Sequence, residues 1–91
     1  MVIDISKQEI LEYKKMEVIT ELTVIREKIR LLEQKYGSNI KKFEQEMKSQ
    51  EEDFEKWDDF IDWTAYTKIE ESLVKKLDEL ENAKDINITT D

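Results

Sequence analysis

Carboxylates spaced one helical turn apart are the first residues that could do chemistry. Glu51 with Glu55 and Asp58 with Asp62 share a helix face at the i, i+4 spacing. Acids so placed can hold a divalent cation, but the carboxylate di-metal bundles add a Glu-x-x-His motif, and the chain has no histidine. The calcium-loop pattern fails as well, because the glycine of its sharp turn is missing. Cysteine is also absent, so disulfides, thiolate nucleophiles, imidazole bases and zinc ligation fall together. No phosphate-cradling glycine loop, nucleophile elbow or triad can be assembled. The expectation is a non-enzymatic chain with no cofactor and no metal. Its acids then form a solvated patch of Glu51, Glu52, Asp53, Glu55, Asp58, Asp59 and Asp62, faced only by Lys56. Such a patch repels phosphate backbones and argues against direct nucleic-acid binding. It leaves open the converse, an acidic mimic of nucleic acid that blocks a basic site.

Aromatic residues are interleaved with those acids in Trp57-Asp58-Asp59-Phe60-Ile61-Asp62-Trp63. On a helix, Trp57 and Ile61 fall on the apolar stripe and read as core. Trp63 falls on another side, with Phe60, Thr67 and Val74. An aromatic flanked by acids on an exposed face has the chemistry of an interface anchor.

The elements that must carry these residues are helices. Of the 91 residues, 42% are charged and 38% hydrophobic, with one glycine and no proline, the composition of long exposed helices in a single small domain. Ser6 followed by Glu9 is a capping box that starts a helix over 7–36, and Gly37 is a natural stop. Leu11, Val18, Leu22, Ile25, Ile29, Leu32 and Tyr36 recur at spacings of three, four and seven and form a coiled-coil seam, with Lys15 as its polar member. The other side of that helix carries a weaker stripe of Tyr13, Thr20, Val24 and Leu31.

After a loop at 37–39, Ile40, Phe43, Met47, Phe54, Trp57 and Ile61 continue the rhythm over a second helix to about residue 83, followed by an extended tail at 84–91. The fold class is all-α, a long antiparallel helical hairpin. If the second helix is continuous, residues facing each other across the hairpin have numbers totalling about 76, which sets Leu22 against Phe54 and Val18 against Trp57. Past Ile61 the apolar set moves to Tyr66, Ile69, Leu73, Leu77 and Leu80, about 100° further round. In that register the first helix reaches only to residue 69 or so, and the rest of the set lacks cover. An alternative start at Ser49 with Glu52, a second capping box, breaks the helix and yields three. Val2, Ile3 and Ile5 at one end, and Ile86 and Ile88 at the other, read as extended.

The Trp57-to-Trp63 segment, the Ser6-to-Gly37 helix and the Asp85-Ile86-Asn87-Ile88-Thr89 ending together resemble small acidic coiled-coil proteins of archaeal type. Some of these are antitoxin-like or accessory members of toxin gene pairs, so the resemblance implies a chain that neutralises or scaffolds a partner. No ribbon-helix-helix or helix-turn-helix segment is present, and DNA binding is not implied. Prefoldin-like subunits also pair two long helices, but the Gly37-Ser38-Asn39 loop leaves no room for their β-hairpins.

The function expected is a protein-interaction module that dimerises or docks on a partner protein through Phe60, Trp63, Thr67, Ile69, Leu73, Val74, Leu77 and Leu80. A structural spacer is the remaining alternative. No signal peptide or membrane span is legible, the longest apolar run being Met1-Val2-Ile3, and the expected setting is cytoplasmic.

Overall fold

A computed structural model describes residues 6–49 and 53–86. Those residues form three helices, α1 (Lys7–Tyr36), α2 (Ile40–Ser49) and α3 (Phe54–Ile86), and the all-α hairpin is present with α1 packed against α3. Each helix starts where a side chain can satisfy its orphan backbone N–H groups. Ser6 Oγ accepts from the Glu9 N–H at 3.1 Å, Asn39 Oδ1 from Lys42 at 2.9 Å, and Asp53 Oδ1 from Glu55 at 3.0 Å. Gly37 ends α1 at φ 64°, a left-handed conformation that favours glycine, and its N–H donates to the Glu33 carbonyl at 2.7 Å.

The second helical stretch therefore runs as two helices, the three-helix alternative, but its cap is Asp53 rather than the Ser49–Glu52 box. Ser49 Oγ donates to the Glu46 carbonyl instead, and Glu52 lies outside the described residues. So do Gln50 and the ends 1–5 and 87–91, but the first residues of the expected extended tail, 84–86 with Ile86 among them, are instead the last turn of α3, because the helical hydrogen-bond ladder runs on past residue 83.

Splitting the helix corrects the register. Facing partners have numbers totalling 94 to 96, as in Lys35 with Asp59, Tyr36 with Asp59, Arg26 with Glu70 and Lys15 with Glu81, not 76. The reason is that α2 and its flanking connections take up chain that a continuous hairpin would have laid along α1. Leu22 and Val18 meet Leu73 rather than Phe54 and Trp57, with Ile25, Leu77 and Leu80 packed against them. Of the apolar set past Ile61, which lacked cover in the expected register, Leu73, Leu77 and Leu80 are thus in the seam that α1 covers, while Ile69 stays exposed at its edge. Lys15 packs in that seam as expected, but its ammonium finds Glu81 at 2.7 Å, and that contact raises its pKa.

A second core closes one end of the hairpin. Phe43 of α2 and Trp63 of α3 are the most fully buried large side chains among the described residues, at 2% and 1% exposure. Their ring centroids are 5.3 Å apart, and Tyr36 of α1 completes the cluster at 4.3 Å from Phe43 and 6.2 Å from Trp63. Trp63, expected on the surface, is core. Phe54, Trp57 and Ile61, expected in the seam, are exposed. One register shift accounts for both reversals.

The two tryptophans should separate cleanly in denaturant unfolding. Trp63→Ala should cost about 3–5 kcal/mol, as expected for emptying a packed aromatic site, while Trp57→Ala should cost well under half of that. Equal losses for the two variants would contradict the packing described.

Candidate interaction surfaces

The expected interface residues do not share one surface. Trp63 and Leu73 are buried inside the chain, and Leu77 and Leu80 are half-buried against the α1 seam. Phe60 is half-buried beside Phe43 and Trp57, with centroids 6.4 and 6.1 Å away. Thr67 donates its hydroxyl to the Trp63 carbonyl at 2.9 Å. Of the eight, Ile69 and Val74 remain exposed, and they lie on opposite sides of α3. Val74 sits among Arg26, Glu70, Lys75 and Asp78, where Arg26 pairs with Glu70 at 3.0 Å. A single covered side on α3 would leave these residues together on the surface, whereas α1 and α2 cover two of its sides.

Ile69 belongs to a different setting. Together with Thr20, Glu21, Val24, Ile25 and Leu73 it lines an open, almost wholly apolar groove of ≈ 290 Å³ between α1 and α3. This groove lies on the flank of the seam opposite the Arg26–Glu70 pair. Thr20 and Val24 come from the weaker α1 stripe, whose other members Tyr13 and Leu31 are exposed as well.

The acidic patch is divided in the same way. Asp53 is committed to capping α3. Lys35 Nζ reaches Asp59 Oδ2 at 2.7 Å and Glu55 Oε1 at 2.9 Å, and the Tyr36 hydroxyl donates to the same Asp59 oxygen. Asp58 and Asp62 stay exposed, and Glu51 and Glu52 lie outside the described residues. Among the described residues no cluster of three or more acids is arranged to hold a metal ion, and no helix is long and apolar enough to cross a membrane.

Asp59, Lys35 and Tyr36 pin the end of α1 to the start of α3, and their titration reflects it. Burial alone would push the Asp59 carboxyl up, but the hydrogen bonds from Lys35 and Tyr36 outweigh it and hold the pKa below the usual carboxylate value. Burial, and then the bond to Asp59, push the Tyr36 hydroxyl up to about 12. Lys35 is raised by its hydrogen bonds to Asp59 and then Glu55.

These features define a class of protein: an all-α hairpin of two long helices, closed at one end by a short helix around an aromatic core. The chain belongs to the "Uncharacterized protein MJ0235 family", whose model matches residues 1–85. No curated protein and no solved structure matches it.

A pH dependence follows from the cluster. Because the folded Asp59 carboxyl titrates below its unfolded value of 3.8, the stability it supplies is complete above that value and is lost as pH falls through the lower, folded one. Tyr36 runs the other way: its contribution is complete below 10.0 and is lost as pH rises towards about 12. Asp59→Asn should flatten the acid limb of a stability-versus-pH curve and lower stability at neutral pH. An unchanged acid limb would remove Asp59 from this role.

Proposed function

We propose that the chain is a non-enzymatic protein-interaction module that associates, through the open face of α1 and α3, with a second copy of itself. The observation that carries this reading is the apolar groove formed by Val24, Ile69 and their neighbours. Two helices side by side make a single layer, and a single layer buries apolar side chains only along its line of contact. Here that line fully buries Val18, Leu22 and Leu73 and leaves the groove beside it open. The radius of gyration, 18.9 Å against about 12 Å for a compact globule of this length, describes the same thin build. A second hairpin laid across the groove would complete a four-helix arrangement, in which each layer covers the other.

The antitoxin-like role implied by the resemblance would be one use of such a module, neutralising or scaffolding a partner in the cytoplasm, and a structural spacer would be another. The nucleic-acid mimic draws less support, because capping and Lys35 occupy three of the acids it would display and a regular row of free carboxylates is lost.

Light scattering at micromolar concentration should give a mass near twice 11.0 kDa. Val24→Asp with Ile69→Asp, which places charges in the groove, should weaken association at least about tenfold without loss of helix content. A wild-type chain that stays at 11.0 kDa throughout would rule out self-association.

A further inference from the structure

A second apolar surface lies elsewhere on α3 and is independent of the groove. Phe54, Trp57 and Ile61 are exposed by 80%, 45% and 60%. At 100° per residue they fall within about 60° of one another, forming a continuous row on the side of α3 turned away from α1. Phe60 and Trp63, which α2 covers, point elsewhere. Ile69, the nearest α3 residue of the groove, is about 12 Å further along the helix at 1.5 Å per residue. Asp58 and Asp62 flank the row on one edge and are exposed, while the neighbouring Glu55 and Asp59 are engaged by Lys35.

We infer that this row is the docking site for an amphipathic helix of a partner protein, one that carries Lys or Arg along a margin of its own apolar face. The charges select this occupant. A second copy laid antiparallel on the same row would set Asp58 and Asp62 against themselves, because an antiparallel two-fold helix pair brings identical edges together, and like charges so placed oppose binding. An acidic helix meets the same repulsion, and so does a phosphate backbone. A basic amphipathic helix satisfies both features at once: its apolar side chains cover Phe54, Trp57 and Ile61, and its cations reach Asp58 and Asp62. Helix-in-groove recognition of this kind reads anchors at spacings of three, four and seven, and 54, 57 and 61 have that spacing. Trp57 is the central anchor. Its edge-on contact with Phe60, at a centroid separation of 6.1 Å, restrains the indole before a partner arrives, which lowers the ordering cost of binding.

The test titrates the full chain against a fluorescein-labelled synthetic peptide with leucines at helical three-four spacing and lysines along both margins, read by anisotropy. Two controls replace its leucines by serine or its lysines by glutamate. The parent peptide should bind saturably, and each control should bind at least about tenfold more weakly. Trp57→Ala and Ile61→Asp should each weaken the parent peptide about tenfold or more with helix content retained, and Val24→Asp in the groove should leave it unchanged. Asp58→Lys with Asp62→Lys should transfer the preference to the glutamate peptide. Binding that survives loss of the leucines, that Ile61→Asp leaves intact, or that Val24→Asp abolishes would overturn the proposal. A fall in the chain's own oligomeric mass on Ile61→Asp would also overturn it, since a second copy would then be the occupant.

Discussion

The packing of Trp63 against Phe43 and Tyr36 is the contact on which the rest of the structure depends. A seam of aliphatic residues at three-four spacing is nearly periodic, so two such helices can slide by a heptad and find another acceptable fit. An aromatic cluster drawing one ring from each of three helices has no such alternative. With Trp63 held between α1 and α2, Asp59 lies beside Lys35 and Tyr36. Leu73 then falls opposite Leu22 and packs with Val18, and Glu70 before it and Glu81 beyond it come within reach of Arg26 and Lys15. The pairs along the outer hairpin are exposed or partly so and individually worth little. They follow the register rather than set it.

Placing α2 across one end of the hairpin has a cost in surface. It supplies a cover for Phe60 and Trp63, and the same geometry turns Phe54, Trp57 and Ile61 to the outside. Three helices around a small aromatic core cannot enclose every apolar side of α3, because that helix has an apolar stripe for α1, another side for α2 and a third left over. The long outer part of the hairpin has a related shortage, with two helices in one layer and an open groove on one flank. A chain this small has little core to offer, and its apolar surplus sits on faces suited to association.

Charge refines this picture. The net charge of −8 is not spread as a uniform repulsive field. Residues 7–36 carry a small excess of basic side chains, and Lys35 from that segment answers two of the acids at the start of α3. Carboxylates that looked like one patch therefore have three employments: capping, pinning helices together, and bordering the exposed apolar row. Only the last bears on a partner.

The limits of α1, from the Ser6 cap to the Gly37 stop, were legible in the chain by itself, as were its seam, the all-helical class and the existence of a second stripe of Tyr13, Val24 and Leu31. Each of these is a local property, readable from capping chemistry or from the period of a single helix. The change of apolar side near Ile61 was equally legible, and so was the alternative of a break near residue 49. What the pattern could not decide was which of the two α3 stripes α1 would cover, since both have the same period and both fit an antiparallel partner. That choice rests on where the chain turns and on the shape of the aromatic core that forms there, a contact among residues 36, 43 and 63 from three separate helices. Tertiary packing alone decided that Trp63 is inside and Trp57 outside, because one helix cannot cover two sides of another.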